Sequence, residues 1–343
     1  MRRPPLRLEV RRLHVRPARA LENARGAWTA RASLLVRVVD EDGLDGWGEC
    51  SPLPGFSPDS LEACAAALTG VALEELGSGL ADLPAARFAV ESALLDLRGK
   101  REARSASALL GATEHASLGI AALLPPASSP AFLDAAREAI AAGHRTLKAK
   151  LDGARFEADL TALRQLRRAL PASIRLRLDA NGSLEPSRLE ACLHALAELA
   201  PEFLEEPVPA EHLGALHATP VPLALDESLS RGLEPTDLLR RKLVSVLVLK
   251  PALLGGLAAS VSLARQAQSH GARVVVSHLW EGPVAMAACA ALALALAPES
   301  LDAGLGRHPA LEGWPRARSA AYDGCRLVTP RAPGLGIDWE AAP

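Results

Sequence analysis

From about residue 117 onward, short apolar runs alternate with longer segments whose apolar residues recur at helical spacing. Strands that alternate with helices in this way indicate a parallel β/α barrel. The predicted strands are 118–123, 146–150, 174–179, 203–205, 222–226, 245–250 and 273–277, with 300–304 as a weak candidate for an eighth. The clearest predicted helices are 156–169, 186–199, 254–270 and 283–297.

The N-terminal part of the chain follows a different pattern. Segments 6–15 and 32–40 predict strands of an antiparallel sheet, and 85–97 predicts a helix. A chain of 343 residues is also longer than a barrel alone requires. We therefore expect two domains, an α+β domain of residues 1–100 that takes up the tail 305–343, and a barrel of residues 101–304.

The net charge and the lengths of the apolar runs argue against nucleic acid and membranes as partners. The net charge of −2 gives no electrostatic basis for binding nucleic acid or an anionic membrane. The longest apolar run, 284–297, has 14 residues, whereas a membrane span needs about 20. The arginines near the N-terminus are not followed by an apolar segment, so we expect no signal peptide. We expect a small-molecule substrate and either a monomer or a homo-oligomer.

The cysteines indicate a reducing compartment. There are five, they are widely spaced, and none form a CxxC pair. An odd number at such spacing argues against a disulfide framework or a thiolate metal site. We therefore expect buried, inert thiols and a cytoplasmic location.

Polar residues stand at the ends of six consecutive predicted strands, 21 to 29 residues apart. In a parallel barrel the C-terminal ends of the strands meet at one face, so these side chains should surround one cavity. The six residues are Lys150, Asp179, Glu205, Asp226, Lys250 and Ser277.

The three carboxylates of this ring suit a hard divalent cation. Oxygen ligands from adjacent strands can hold Mg2+, with water and substrate completing its coordination. Helix capping or plain surface charge is the alternative for any one of them, but it explains three on consecutive strands poorly. Because adjacent side chains of a strand alternate, we expect only one of Glu205 and Glu206, and one of Asp226 and Glu227, to face the metal.

Lysines flank the acidic positions in sequence. A buried lysine near another cation has a lowered pKa and can act as a general base. Lys148 lies two residues before Lys150, so the two share a strand face and Lys148 could lower the pKa of Lys150. The alternative is that a lysine only pairs with the carboxylates. With a metal, these residues suit removal of a proton α to a carboxylate and stabilisation of the resulting enediolate.

The sequence blocks around the ring resemble those of the enolase superfamily, in its muconate-lactonizing branch. In chain order the blocks are Lys148-Ala149-Lys150, Leu178-Asp179-Ala180-Asn181, Leu204-Glu205-Glu206-Pro207, Leu225-Asp226-Glu227-Ser228 and Leu249-Lys250-Pro251. The resemblance covers nearly the whole chain. It implies an α/β fold, a (β/α)7β modified TIM barrel with an α+β capping domain.

The same resemblance implies roles for these residues. Asp179, Glu205 and Asp226 would bind Mg2+, for which Mn2+ could substitute. Lys150 and Lys250 would be catalytic, with Lys148 and Asn181 in support.

Within this branch, the stretch Gly46–Ser57 is similar to the capping-domain loop of the o-succinylbenzoate synthase family. Being rich in Gly and Pro, it should form a shaped loop that brings Gly55 and Phe56 to the substrate. The block Val276–Gly282 resembles the seventh-strand substrate block of that family and adds Ser277, His278 and Glu281 as candidates. A lid near residues 20–31 would close over substrate, with Arg31 as a candidate there.

This resemblance implies a reaction, the syn dehydration of 2-succinyl-6-hydroxy-2,4-cyclohexadiene-1-carboxylate to o-succinylbenzoate in menaquinone biosynthesis. Lys150 would remove the α-proton and return it to the departing hydroxyl. Lys250 would stabilise the anionic intermediate from the other side, partly by a cation–π contact.

Two other functions stay open. An N-succinylamino acid racemase or dipeptide epimerase would use both lysines as bases, although the region 301–304 lacks the Asp-x-Asp with which dipeptide epimerases of this branch hold an ammonium. A non-catalytic barrel that binds a ligand is the remote alternative, since one fold serves many functions.

Overall fold

The computed structural model of the protein describes residues 6–17, 20–23, 26–69, 79–298, 300–315 and 317–339. In chain order its strands are β1 (Arg7–Val15), β2 (Leu21–Asn23), β3 (Gly26–Trp28), β4 (Arg31–Val39), β5 (Asp45–Cys50), β6 (Ser117–Gly119), β7 (Ala122–Leu123), β8 (Thr146–Lys150), β9 (Arg175–Asp179), β10 (Phe203–Glu205), β11 (Leu223–Leu225), β12 (Val246–Leu249), β13 (Arg273–Val276), β14 (Ala317–Ser319), β15 (Tyr322–Asp323), β16 (Arg326–Val328) and β17 (Ile337–Trp339). Its α-helices are α1 (Leu61–Leu68), α2 (Pro84–Arg101), α3 (Ala106–Leu109), α4 (Phe132–Ala141), α5 (Phe156–Ala169), α6 (Leu189–Ala197), α7 (Glu227–Ser230), α8 (Thr236–Arg240), α9 (Pro251–Leu254), α10 (Leu257–Ser269) and α11 (Pro283–Ala295).

Strands β7 to β13 form one parallel sheet in the order β13-β12-β11-β10-β9-β8-β7. Each strand pairs with the next along the chain, and helices return the chain outside the sheet, as the alternating pattern predicted. The central strands are short and almost entirely buried; β12, for example, is Val-Leu-Val-Leu with every residue buried. Continuous apolar strands are expected where a parallel sheet is covered on both faces.

Residues 300–304 close the barrel between its last and first strands. Gly304 bridges to Ser277 and Ala303 bridges to Ile120, both in parallel. The weak eighth candidate therefore pairs where it was expected, but through isolated bridges and not as a continuous strand. Its shortness explains why the sequence pattern there was faint.

Below this seam, Asp302 joins the N-terminal ends of two strands. Its carboxylate accepts a hydrogen bond from Thr146 Oγ1 at 2.7 Å and pairs with Arg175 Nη2 at 2.5 Å. The Asp302 carbonyl accepts from Arg177 Nη1 at 2.6 Å. Thr146 and Arg175 begin β8 and β9, so Asp302 ties the closing strand to the end of the barrel away from the predicted ring.

The N-terminal residues form a three-stranded sheet in the order β1-β4-β5, with both pairings antiparallel. Helix α2 packs directly on β5, where a Cβ on Gly46 would lie 2.1 Å from the Ala93 carbonyl oxygen and one on Gly48 1.8 Å from that of Ala89. The expectation of a loop from Gly46 was therefore wrong for its first five residues. The glycines serve close helix–strand packing there, and the loop begins after Cys50.

Two buried or partly buried carboxylates join this sheet and helix to the barrel. Glu49 on β5 accepts hydrogen bonds from the backbone N–H groups of Gly282 (2.6 Å) and Ala285 (3.3 Å), at the start of α11. Glu91 on α2 accepts from Leu257 N at 2.6 Å, at the start of α10. The first turn of a helix has unpaired N–H groups and a positive partial charge, so a carboxylate stabilises it.

Helix α11 is the predicted helix 283–297, and all residues from Val284 to Leu294 are buried. It lies between the barrel and the N-terminal sheet, which explains an apolar surface all round. Among the described residues, no helix has the length and apolar character to cross a bilayer.

The C-terminal tail returns to the N-terminal part of the chain. Leu335 N donates to Asp96 Oδ1 of α2 at 2.7 Å, and Ala106 N donates to the Gly334 carbonyl at 2.6 Å. Strand β16 pairs with β6 at the start of the barrel. The tail therefore links both parts of the molecule.

The packing of α2 on β5 predicts that Gly48→Ala is strongly destabilising. The added Cβ would meet backbone atoms, which cannot move aside as a side chain can. We expect the free energy of unfolding, measured by urea denaturation, to fall by about 3 kcal/mol or more. Gly214→Ala is the control, because its Cβ would meet nothing within 4 Å. A Gly48→Ala variant as stable as the control would contradict this account.

Candidate active site

The polar ring predicted from the strand ends forms around a single cavity of about 570 Å³. Lys150, Asp179 and Glu205 are register partners on neighbouring strands, so their side chains stand at one level. All six ring residues line the cavity, together with Lys148 and Asn181. Its volume is that of a pocket for a small organic ligand.

Two of the three lysines pair with carboxylates. Lys148 Nζ lies 2.9 Å from Asp179 Oδ2 and 2.7 Å from Glu205 Oε2, and Lys250 Nζ pairs with Asp226. Lys150 Nζ instead donates to the neutral Asn181 Oδ1 at 3.2 Å. The surroundings of the three ammonium groups therefore differ.

These ion pairs set the charge states of the lysines. Burial opposes the charged form, but the carboxylates of Asp179 and Glu205 outweigh it and raise the pKa of Lys148. Asp226 likewise outweighs the effect of burial and raises the pKa of Lys250. Both side chains are cationic at neutral pH, and Lys148 neutralises part of the charge of Asp179 and Glu205.

The carboxylates have the composition of a divalent-cation site, although the lysines are their partners in this arrangement. In the described residues, no three His, Cys, Asp or Glu side chains already converge on one point. Glu205 Oε1 is nevertheless buried without a hydrogen-bond partner. An unused buried acceptor beside two further carboxylates fits a hard cation such as Mg2+.

The second carboxylate of each acidic pair is placed differently: Glu206 does not line the cavity, whereas Glu227 does. Glu206 turns away from the cavity and accepts hydrogen bonds from Asp226 N and Ser228 N, both at 2.8 Å. Glu227, however, lines the cavity together with Asp226. Only Glu205 of the first pair therefore lines the cavity, whereas both members of the second pair do, because β11 ends at Leu225 and Asp226 is already the N-cap residue of α7.

The loop after β5 reaches the cavity through one residue. Phe56 lines it, and Lys250 Nζ lies 5.6 Å from the centre of the Phe56 ring, within cation–π range. Gly55 has φ of +74° and serves the turn that presents Phe56; it does not line the cavity. Leu53 packs with Leu253 and Leu279 beneath this loop.

Of the three candidate substrate residues after β13, two line the cavity and one is buried behind it. Ser277 and His278 line the cavity, and Ser277 Oγ donates to the Gly304 carbonyl at 3.1 Å. Glu281 is buried behind it and accepts from Leu279 N. Burial raises the pKa of Glu281 to about 7. The carbonyl of Glu281 accepts a hydrogen bond from His308 Nε2 at 2.8 Å.

Arg31 does not line the cavity. Its guanidinium is buried and donates to the carbonyls of Ser51 and Pro52 at 2.7 and 2.9 Å. It supports the loop that carries Phe56 and thereby positions that loop. Of the lid expected near residues 20–31, residues 24 and 25 lie outside the described residues.

Several cavity residues were not predicted. Glu227 could have been found, since it neighbours Asp226. Arg177 lies two residues before Asp179 on the same strand face, which is also a readable signal. Arg307 and Tyr322 come from the chain beyond the eighth strand, where no periodic pattern points to the cavity.

Two family profiles match the chain. The profile described as "Mandelate racemase / muconate lactonizing enzyme, N-terminal domain" matches residues 7–111, and "Enolase C-terminal domain-like" matches residues 131–342.

Curated relatives with different activities are similar to the chain at nearly equal identity. The o-succinylbenzoate synthase of Thermosynechococcus vestitus is 30% identical over 78% of this chain and 82% of that protein. The L-Ala-D/L-Glu epimerase of Escherichia coli is 30% identical over 72% and 78%. The L-Lys-D/L-Arg epimerase of Methylococcus capsulatus is 31% identical over 89% and 90%.

Solved structures give the same picture of the fold. A dipeptide epimerase from Methylococcus capsulatus, complexed with Mg and the dipeptide L-Arg-D-Lys, is similar with a TM-score of 0.84 and 29% identity, covering 98% of this chain and 100% of that chain. Muconate lactonizing enzyme from Pseudomonas putida has a TM-score of 0.82 at 24% identity, covering 98% of each chain. The latter likeness concerns the fold alone.

Burial of His308 predicts an acid-sensitive component of stability. Burial lowers the pKa of His308 to about 4, whereas an unfolded histidine has a pKa near 6.5. The stability that depends on a neutral His308 is present above pH 6.5 and is lost as the pH falls through 4. Between pH 7 and pH 4, wild type should lose up to about 3 kcal/mol more than His308→Gln, measured by urea denaturation.

Glutamine keeps an N–H donor for the Glu281 carbonyl, so the variant removes the titrating group but retains the hydrogen bond. His212→Gln, at an exposed position, is the control and should follow wild type. Parallel pH profiles for wild type and His308→Gln would refute the prediction.

Proposed function

Since the chain belongs to the enolase superfamily, we propose that it removes the α-proton of a carboxylate substrate with the help of Mg2+, and that it is an o-succinylbenzoate synthase. The observation that supports proton removal is the placement of Lys150 and Lys250 in one cavity with four carboxylates between them along the chain. A non-catalytic barrel would not need each of these residues. The division into a capping domain of residues 1–100 with the tail and a barrel of residues 101–304 is part of this proposal.

The described part of the cavity wall that follows residue 300 carries no carboxylate, which favours the dehydratase. Asp302, the nearest candidate, is engaged by Thr146 and Arg175 away from the ring. Among the described residues, those after 300 that line the cavity include none with a carboxylate. A dipeptide carries an N-terminal ammonium, whose charge needs a partner when it is buried, so this wall suits a dipeptide poorly.

Asp179, Glu205 and Asp226 would hold Mg2+, and Mn2+ could take its place. The bound cation would neutralise charge that develops on the substrate carboxylate during proton removal. Lys148 keeps Asp179 and Glu205 at their present separation. Asn181 accepts from Lys150 and donates to Glu227 Oε1 at 3.0 Å, which orients the lysine.

Lys150 is the proposed base because no carboxylate holds its ammonium group. It would take the α-proton from carbon and then give a proton to the hydroxyl on the same ring face. The C–H and C–O bonds break, a C=C bond forms, and water leaves as the ring becomes aromatic. Lys250, kept cationic by Asp226, would stabilise the negative charge of the intermediate from across the cavity.

N-succinylamino acid racemase is the second candidate. Lys150 and Lys250 end the second and sixth barrel strands, on different sides of the cavity, which suits proton transfer on two faces of one carbon. Epimerases and an N-succinyl-L-Arg/Lys racemase are among the relatives of the chain. The assay below separates the two activities.

The dehydratase is tested by the loss of diene absorbance of the cyclohexadiene carboxylate, with o-succinylbenzoate identified as product. We expect Mg2+-dependent turnover, lowered at least about 1,000-fold in kcat by Lys150→Ala or Lys250→Ala, because general-base catalysis is lost. Lys242→Ala, which changes an exposed lysine outside the cavity, is the control. Near-full activity of Lys150→Ala would refute the base assignment. Mg2+-dependent α-proton exchange in N-succinylamino acids without dehydration would indicate the racemase.

Binding of Mg2+ should stabilise the folded protein. At 100 times its Kd, a ligand that binds only the folded state adds about 2.7 kcal/mol, so the melting temperature should rise with Mg2+ and fall again with EDTA. Glu205→Gln should abolish this rise, while Glu198→Gln, at an exposed site, should keep it. An equal rise in Glu205→Gln would exclude Glu205 as a ligand.

A further inference from the structure

The charged residues that line the cavity are distributed unevenly. The lining carboxylates are Asp179, Glu205, Asp226 and Glu227, all at the ends of β9 to β11. The opposite wall is formed by the first barrel strand, residues 304–308 and the turn after β15. In the described residues this wall carries the guanidinium of Arg307 and no carboxylate.

The Arg307 side chain has no partner among the described residues, although a hydrogen bond holds the next residue, His308, in place. Within the described ranges its guanidinium makes no hydrogen bond or ion pair, although it lines the cavity. The next residue is held, because His308 Nε2 donates to the Glu281 carbonyl at 2.8 Å. The His278 and His308 rings also stack at 4.8 Å. This arrangement holds an unneutralised cation at the cavity without tying it to a protein carboxylate.

Tyr322 adds a second unused group to the same wall. Tyr322 lines the cavity, and its hydroxyl is buried without a hydrogen-bond partner among the described residues. A buried hydroxyl without a partner costs stability, and a ligand that accepts its hydrogen bond removes that cost. Arg307 and Tyr322 both line the cavity on this wall, so one ligand group could meet both.

We propose that Arg307, assisted by the Tyr322 hydroxyl, binds a second anionic group of the substrate, remote from the carbon that loses its proton. The site therefore selects substrates with a carboxylate at each end over those whose far end is neutral or an ammonium. This deepens the proposed function and rests on it. It gives the dehydratase and the N-succinyl substrates a common anchor, and it opposes dipeptides by like-charge repulsion.

The physical basis is a charge-assisted hydrogen bond near the cavity wall. Such bonds to a carboxylate are stronger than neutral ones. Loss of one corresponds to roughly tenfold to 100-fold in affinity. Arg307 is exposed, so water screens its charge and the lower figure is the appropriate expectation. Replacing it should leave folding intact for the same reason.

The test uses two ligands that differ only at the far end. o-Succinylbenzoate ends in a carboxylate, and 2-butanoylbenzoate has a methyl group in its place. Their affinities for the full-length protein are measured by isothermal titration calorimetry in saturating Mg2+. Wild type should bind o-succinylbenzoate about tenfold more tightly. Arg307→Gln should bring the ratio close to one, Arg307→Lys should retain part of it, and Tyr322→Phe should lower it to an intermediate value.

Arg331→Gln is the matched control, because Arg331 is exposed on the tail and does not line the cavity. It should preserve the wild-type ratio. A wild type that binds both ligands equally, or binds neither, overturns the inference, as does an Arg307→Gln variant with the wild-type ratio.

Dehydration assays on the same samples separate this inference from the proposed function. If the ratio depends on Arg307 but no dehydration occurs, the anion site stands and the dehydratase proposal fails. If dehydration occurs and the ratio ignores Arg307, the dehydratase stands and the anion site fails.

Discussion

The docking of two carboxylates onto the N-termini of barrel helices underlies the rest of the structure. Glu49 and Glu91, from the N-terminal sheet and helix, satisfy N–H groups at the start of α11 and α10. Both helices follow or precede strands that carry the site, so the same contacts fix the height of the small domain above the cavity. The loop with Phe56 leaves β5 directly after Glu49 and Cys50, and Arg31 holds that loop from behind. The loop that carries Phe56 over the cavity is thus positioned by the buried charged groups of Glu49 and Arg31, with apolar packing around them.

Charge compensation also organises the cavity itself. Three lysines and four carboxylates line it, and most are paired, which is the condition under which buried charges are tolerated. In the described part of the chain, Glu227 Oε2 and Arg177 Nη2 are buried without a hydrogen-bond partner, and three further exceptions bear on the proposals. Lys150 binds a neutral amide, Glu205 has an unused oxygen, and Arg307 has no partner among the described residues. These three residues are the ones proposed as a base, a cation ligand and an anchor for a remote anion.

The sequence predicted the barrel and its ring because strand ends are periodic. Apolar runs recur with each βα unit, so a polar residue that ends one is conspicuous, and Lys150 through Ser277 all line the cavity. Other features were hidden for physical reasons. Gly46 and Gly48 resemble loop residues, yet they serve close packing that depends on a helix about 45 residues away. Glu227 lines the cavity because β11 ends at Leu225, one residue before its predicted end, and a helix begins at Glu227. Arg307 and Tyr322 reach the cavity by tertiary folding of the tail, which leaves no local pattern.

The closing seam of the barrel differs from the rest of the sheet in how its backbone is paired. Strands β8 to β13 are joined by ladders that hold the reacting groups in fixed register, whereas residues 300–304 are joined by single bridges and clamped from below through Asp302. Side chains on the segment after this seam lie outside the ladders that carry the lysines, so they can be exchanged without moving the lysines. In the proposed function the chemistry depends on the ladder-held lysines and the choice of substrate on this wall, so the second can change while the first stays in place.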